Sequence, residues 1–234
     1  MQLKARARAF LRPPTIPITA RHLEWSVIAS VDDLEPKPSS VLIDLMLAGA
    51  AKARKVNFDD IAGRSPDARW LSIWPGAHYR LLAGLCDEIK AQKVIEVGTY
   101  LGLGALALGA SGTRQVITYD IVPLDAFPNA VVTPADINER LIDQRIGNLL
   151  DDDFFRAQAD DLSTADLFFI DGPKDGHFEK ALLSRLIPCL KPGAVLVLDD
   201  IRLLNMLATW RWLPLPKLDA TSVGHWCGTG MALA

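Results

Sequence analysis

The order of hydrophobic and polar positions changes character near residue 93. From there on, short apolar runs alternate with longer segments in which apolar residues recur at helical spacing. The apolar runs predict strands at residues 94–97, 115–119, 141–146, 167–170 and 194–198. The intervening segments predict helices at residues 103–111, 134–140, 152–159 and 177–190. This alternation is typical of a mostly parallel sheet with helices on both faces.

The carboxyl-terminal part of the chain departs from that alternation. A helix is predicted near residues 203–212, and two short strand-like runs follow at 218–222 and 229–233. The segment between these runs is typical of a hairpin connection. We therefore expect an α/β fold with a Rossmann-like, doubly wound sheet of about seven strands, mostly parallel and finished by an antiparallel hairpin.

The amino-terminal part has a different pattern. Prolines interrupt the first 40 residues, whereas residues 41–54 and 76–92 have helical spacing. The sequence predicts an irregular and helical extension or lid over residues 1–70, followed by the main domain at 71–234. Trp70, Trp74 and His78 are candidates for the lid, although the pattern favours core packing for both tryptophans.

Composition restricts the partners and the cellular compartment that we expect for the protein. The chain has 234 residues, half of them hydrophobic, and a net charge of −3, so we expect no nucleic-acid partner. No apolar run approaches the roughly 18 residues that a membrane span needs. The basic residues 1–12 predict a short docking helix or a frayed end. The three cysteines have neither disulfide nor zinc spacing, which favours buried thiols in a reducing cytoplasm.

The first strand of the alternating region ends in a carboxylate and a glycine-rich turn. Glu96 precedes Gly98, and Gly102 and Gly104 follow before a run of good helix formers. Such turns bring backbone N–H groups close to a ligand at the carboxyl end of a parallel strand. The spacing does not match G-x-G-x-x-G, and Glu96 favours a cofactor with a cationic amine or sulfonium. The alternative is an ordinary turn between a strand and a helix.

Two further strand ends carry candidate cofactor ligands. Asp120 lies 22 residues after Gly98, where a carboxylate accepts hydrogen bonds from both hydroxyls of a ribose. Ile121 would then pack on an adenine ring, and Asn148 would either bind the adenine edge or cap the next helix. The simpler interpretation of Asp120 is a loop residue that caps the next element.

Three aspartates follow the fourth and fifth predicted strands. Asp171 ends one, and Asp199 and Asp200 end the next. Adjacent parallel strands lie about 4.8 Å apart, so the three carboxylates can converge. Together they would repel one another unless a hard divalent cation such as Mg²⁺ or Ca²⁺ bound between them. Solvated aspartates at strand ends are the alternative.

Lys174 and His177 lie on the loop beside that candidate acidic cluster. A lysine whose pKa is lowered by a nearby cation and apolar surroundings can act as a general base toward a substrate hydroxyl. His177 is a second candidate base. The alternatives are a surface lysine and a structural histidine at the start of a helix.

Taken together, these motifs resemble those of class I S-adenosylmethionine-dependent methyltransferases over about residues 76–234. The resemblance rests on Glu96 to Gly102, Asp120, residues 170–172, and residues 190–193 before Asp199. Within the class, Asp171 to Lys174 and Asp199-Asp200 are similar to small-molecule O-methyltransferases of the catechol and caffeoyl-CoA type. Those enzymes bind a divalent metal with two aspartates and an asparagine, and use a lysine three residues after the first aspartate. Here Asp200 stands in place of the asparagine.

The resemblance implies S-adenosylmethionine as cofactor and a small-molecule substrate. The implied cofactor-binding residues are Glu96, Gly98, Thr99, Tyr100, Gly102, Asp120, Ile121, Asn148, Leu149 and Asp171. The implied metal ligands are Asp171, Asp199 and Asp200, and the implied catalytic residues are Lys174 and His177. An NAD(P)-dependent oxidoreductase and a non-catalytic S-adenosylmethionine-binding protein are the alternatives. The sequence permits a homodimer without specifying it.

Overall fold

A computed structural model describes residues 33–34, 39–73 and 76–234 of the chain. The predictions for the basic segment 1–12 and for Trp74 lie outside the described residues. No helix within the described ranges is long and apolar enough to cross a membrane.

The strands form one seven-stranded sheet in the order β3-β2-β1-β4-β5-β7-β6. Its strands are β1 (Lys93–Val97), β2 (Gln115–Asp120), β3 (Ile142–Ile146), β4 (Leu167–Ile170), β5 (Val195–Asp199), β6 (Lys217–Asp219) and β7 (Thr229–Leu233). Strands β1 to β5 pair in parallel, whereas β7 is antiparallel to both β5 and β6. The predicted α/β architecture with an antiparallel finish is confirmed.

Helices cover the sheet and precede it. In the described part of the chain they are α1 (Ser40–Ala53), α2 (Asp59–Ala62), α3 (His78–Glu88), α4 (Leu103–Leu108), α5 (Pro134–Glu139), α6 (Asp152–Ala157), α7 (Ala159–Thr164), α8 (His177–Leu186) and α9 (Met206–Trp212). Short 3₁₀ turns occur at Pro66–Ser72, Leu124–Ala126 and Ile187–Cys189.

Several element boundaries differ from the sequence predictions, among them the following three. The helix predicted at 177–190 leaves the α-conformation after Leu186, because Pro188 has no N–H to donate. The helix predicted at 152–159 is two helices that meet at Gln158. Strand β6 ends at Asp219, because the carbonyl of Ala220 accepts hydrogen bonds from the N–H groups of residues 223 and 224 and closes a turn.

Side chains alternate between the two faces of the sheet and form two hydrophobic layers. Val94 and Phe169 contribute to the layer under α3 and α4, whereas Ile95 and Phe168 contribute to the layer on the opposite face. Because central strands are buried on both faces, they are almost continuously apolar, as in β4. The strand ends therefore carry the polar groups.

Helix α1 packs on α3 and shares the core of the sheet. Leu42 and Leu45 belong to the same buried cluster as Leu82. The helices approach so closely that a Cβ at Gly84 would lie 2.2 Å from the carbonyl oxygen of Gly49. The division of the chain at residue 70 stays a prediction.

A buried carboxylate joins the amino-terminal region to α5. Oδ2 of Asp136 accepts hydrogen bonds from the Arg64 guanidinium at 2.5 Å and from the backbone and hydroxyl of Thr133 at 2.8 and 2.7 Å. Burial opposes its ionisation, but the hydrogen bonds from Arg64 and Thr133 outweigh burial and lower the pKa of Asp136.

We expect Asp136→Ala to destabilise the protein by about 3 kcal/mol, because it removes one half of a capping box and the nearest carboxylate to Arg64. The measurement is urea unfolding followed by circular dichroism. Glu139→Ala, an exposed change on the same helix, is the control. Since the folded-state pKa is lowered, the difference between Asp136→Ala and wild type should be present above the ordinary pKa of about 3.9 and shrink as the pH falls below it.

Candidate active site

The glycine-rich turn after β1 is held open by left-handed backbone conformations. Gly98 and Gly102 have φ angles of +100° and +83°. The N–H of Gly98 donates to the carbonyl of Tyr119 at 2.8 Å, so the turn lies directly against the end of β2. A Cβ on Gly98 would lie 2.0 Å from the carbonyl oxygen of Asp171. The turn therefore brings the ends of β1, β2 and β4 into contact.

Asp120 anchors this turn from the end of β2. Its Oδ2 accepts hydrogen bonds from the N–H groups of Thr99 and Tyr100, both at 2.9 Å, and its Oδ1 accepts one from Val122 at 3.0 Å. Asp120 and Gly98 both line the cleft described next. A carboxylate has about four acceptor positions, so Asp120 retains capacity for a ligand hydroxyl.

A cleft of about 400 Å³ opens beside the turn. Tyr100 and Phe127 stand at one side with their rings edge to face, 5.3 Å apart. Ile121, Asn148, Leu149 and Asp171 also line the cleft. The predicted cofactor residues after β2, β3 and β4 thus meet in one cleft.

Glu96 lies inside the protein rather than along this cleft. Its side chain is 1% exposed, accepts a hydrogen bond from the Thr118 hydroxyl at 2.5 Å, and has Gly104 so near that a Cβ there would overlap it. Burial raises the pKa of Glu96 well above its usual range. In this structure Glu96 supports the turn from beneath, because adjacent strand residues point to opposite faces and its neighbour Val97 lines the cleft.

The three aspartates at the ends of β4 and β5 come together around the ammonium group of Lys174. Its Nζ lies 2.6 Å from Asp171, 3.0 Å from Asp199 and 3.8 Å from Asp200. Lys174 is 8% exposed, and its φ of +64° turns the loop back over the strand ends. The convergence of the carboxylates follows the predicted geometry, but the cation between them is the lysine.

These ion pairs raise the pKa of Lys174, whereas the sequence predicted it to be lowered. Burial opposes its charge, but the carboxylates of Asp171 and Asp199 outweigh burial and raise the pKa of Lys174. The expected lowering of that pKa is therefore wrong, and the lysine is held as an ammonium. Burial and the charge of Asp199 raise the pKa of Asp171 to about 7, despite the neighbouring lysine.

His177 lies apart from this cluster. It is exposed at the start of α8, and its backbone N–H donates to Asp175 Oδ1 at 2.8 Å. It is not among the residues that line the cleft, whereas its neighbour Phe178 is. His177 therefore lies at the start of α8, away from the residues of the site that the structure describes.

Two histidines that the sequence did not assign to catalysis or metal binding lie beside Asp199. His225 Nε2 is 2.7 Å and His78 Nδ1 is 3.8 Å from Asp199 Oδ1. The signal for His225 is the antiparallel pairing of Asp199 with Thr229, which returns the connection between β6 and β7 to the end of β5. No comparable signal exists for His78, which precedes the sheet in sequence.

A family model for a methyltransferase domain matches residues 95–201, a range that includes the turn, Asp120 and the three aspartates. Over this range the chain is similar to methyltransferases. None of the curated proteins compared with this chain matches it.

Two solved structures are similar to this chain over most of its length. One is a methyltransferase from Geobacter sulfurreducens, with a TM-score of 0.55 and 21% identity over 76% of this chain and 90% of that chain. The other is an O-methyltransferase from Bacillus cereus in complex with SAH, with a TM-score of 0.53 and 19% identity over 87% of this chain and 94% of that chain. At these identities the likeness shows the fold alone.

The close approach of Gly98 to Asp171 can be tested by substitution of the glycine. We expect Gly98→Ala to abolish cofactor binding and lower the unfolding temperature, because the new Cβ would overlap the Asp171 carbonyl. Gly193→Ala is the matched control: its φ is +83°, yet nothing lies within 4 Å of its Cβ, so only backbone strain of about 1–2 kcal/mol is expected. Equal effects of the two changes would show that the close approach is unimportant.

Proposed function

We propose that this protein is a methyltransferase that transfers a methyl group from S-adenosylmethionine to a hydroxyl oxygen of a small molecule. The observation that carries the proposal is that Asp171 lines the cleft and also pairs with Lys174. One carboxylate therefore connects a nucleotide-sized cleft with a charged group at its edge. The O-methyltransferase of similar fold was solved with SAH, which supports the choice of cofactor.

The cofactor would lie across the turn and the adjoining strand ends. Asp120 would accept hydrogen bonds from the ribose hydroxyls, and Gly98 with Thr99 and Tyr100 would border the methionyl end. Ile121 and Leu149 offer apolar contacts for the adenine, and the Asn148 amide can bind its edge. In this arrangement Glu96 does not contact the cofactor; it stabilises the turn that borders the methionyl end.

Methyl transfer to a hydroxyl group needs an oriented nucleophile and a base that accepts the hydroxyl proton. The substrate oxygen attacks the methyl carbon, the bond from carbon to sulfur breaks, and the hydroxyl proton passes to a base. Asp171 is the proposed base, since its carboxylate borders the cleft and its pKa of about 7 suits proton transfer at neutral pH. The Lys174 ammonium would stabilise the oxyanion that develops on the substrate.

A hard divalent cation does not fit between the three aspartates as they are arranged here. The Lys174 ammonium lies within 3.8 Å of all three carboxylates, so a Mg²⁺ or Ca²⁺ ion at their centre would compete with it for the same oxygens. No step of the proposed mechanism uses such an ion.

Calorimetry would test the choice of cofactor. We expect S-adenosylhomocysteine to bind with micromolar affinity and NADH to show no heat, because a pyrophosphate would approach the carboxylates of Asp120 and Asp171. Binding of NADH alone would favour the oxidoreductase alternative.

An activity assay would test the transfer itself. Incubation of the enzyme with S-adenosylmethionine and a panel of catechols, phenols, alcohols and matched amines should yield a methyl ether, detected by mass spectrometry. Methylation of amines alone would contradict O-transfer. Binding of the cofactor without turnover on any acceptor would favour the non-catalytic alternative.

A further inference from the structure

Two histidines face the oxygen of Asp199 that Lys174 does not contact. Asp199 Oδ2 accepts a hydrogen bond from Lys174 at 3.0 Å, whereas Oδ1 lies 2.7 Å from His225 Nε2 and 3.8 Å from His78 Nδ1. The imidazole rings are 4.3 Å apart between centroids. One carboxylate oxygen and two imidazoles therefore meet beside the lysine cluster.

The spacing of these groups suits a metal ion. Their three potential ligand atoms all lie within 4.8 Å of one another. Ligand atoms around a tetrahedral zinc ion are about 3.4 Å apart, as bonds of about 2.1 Å require. The separations of His225 Nε2 and His78 Nδ1 from Asp199 Oδ1, 2.7 and 3.8 Å, lie on either side of that value. Small side-chain rotations would therefore bring all three atoms to distances that suit a bound zinc ion. Each side chain is only 8% exposed.

The backbone fixes the two histidine-bearing segments to each other. The N–H of Ala77 donates to the carbonyl oxygens of Val223 at 2.8 Å and Gly224 at 3.0 Å. A Cβ on Gly76 would lie 1.8 Å from the Gly224 carbonyl oxygen, so this contact requires glycine. His78 has a φ of +20°, a strained value that persists only where surrounding contacts impose it. The site is therefore preorganised before any ligand binds.

The His78 ring makes no hydrogen bond within the described part of the chain, because 3.8 Å to Asp199 is too long for one. An imidazole offers one nitrogen lone pair to a metal ion, so Nδ1 of His78 can act as a ligand.

The charge around the site also favours a cation. The carboxylates of Asp171, Asp199 and Asp200 surround the single ammonium of Lys174. Three carboxylates therefore share one ammonium within 3.8 Å, so acidic groups outnumber the cation beside Asp199.

We propose that His78, Asp199 and His225 bind a divalent transition metal ion of the zinc type. Two imidazole nitrogens and one carboxylate suit Zn²⁺, whereas Mg²⁺ and Ca²⁺ prefer oxygen ligands throughout. This donor set shares Asp199 with the hard-cation set that the sequence predicted, but it has His78 and His225 in place of Asp171 and Asp200. It is independent of the proposed methyl transfer, since metal binding can be measured without turnover.

The test uses the full-length protein after treatment with a chelator. Calorimetry with Zn²⁺ should show one ion per chain, and Co²⁺ should give the visible absorption of a four- or five-coordinate site without a thiolate charge-transfer band. His78→Ala and His225→Ala should each weaken Zn²⁺ binding about 100-fold or more. Circular dichroism of the metal-free variants establishes that they fold.

Matched variants test whether Zn²⁺ is bound by His78, Asp199 and His225 rather than by nearby residues. Zn²⁺ affinity should stay near that of the wild type in His177→Ala, an exposed histidine that lies apart from the site. Cys227→Ser should also have little effect. Asp200, His225 and Cys227 also have ligand atoms within 4.8 Å of one another, so loss of binding in Cys227→Ser or a thiolate band in the wild type would overturn the proposal. Absence of stoichiometric binding, or full affinity in both histidine variants, would do so as well.

Discussion

Asp120→Ala is expected to weaken the binding of S-adenosylhomocysteine by 100-fold or more in calorimetry. Each hydrogen bond to a charged group contributes about 1.5–3 kcal/mol, and two ribose hydroxyls are expected to bind this carboxylate. The change would also release the N–H groups of Thr99 and Tyr100, which Asp120 holds at 2.9 Å. Loss of the ligand contact and loss of the turn's shape therefore act in the same direction.

The control for Asp120→Ala is Asp125→Ala, an exposed aspartate in the loop after the same strand. It should leave both affinity and unfolding temperature near wild-type values. Asp120→Asn separates the two roles, because the amide oxygen can still accept from the turn but has fewer acceptor positions for ribose. Wild-type affinity in the folded Asp120→Ala variant would contradict the ribose assignment.

Lys174→Met is expected to lower kcat by about 100-fold or more while the affinity for S-adenosylhomocysteine stays near that of the wild type. The ammonium lies within 3.8 Å of three carboxylates, and without it their repulsion is no longer balanced. It is not among the residues that line the cleft, so the cofactor contacts should survive. Steady-state kinetics and calorimetry on the same preparation provide the two measurements.

Lys180→Met is the matched control for Lys174→Met, since Lys180 is an exposed lysine on the adjoining helix α8. It should leave kcat unchanged. Thermal unfolding of both variants shows how much of any lost activity comes from a destabilised fold. A folded Lys174→Met enzyme with wild-type kcat would contradict the role of the ammonium in turnover.

Local sequence pattern predicted the features that depend on neighbouring residues. The alternation of apolar runs and helical segments predicted the parallel sheet, and the glycines after Glu96 predicted the turn. The ends of parallel strands lie at one edge of a sheet, so Asp120 and Asp171 could be placed on the same side from sequence order alone. The cleft contains both, as that reasoning requires.

Only the tertiary structure decided the direction and protonation of several site residues. Glu96 points into the core because its backbone position in β1 assigns it to the buried face opposite Val97. The pKa of Lys174 is raised rather than lowered, since the loop folds its ammonium among three carboxylates. His78 and His225, which are 147 positions apart in the chain, meet at Asp199. Sequence periodicity determines elements and their order, whereas these distances and charges arise from contacts between segments that are remote in the chain.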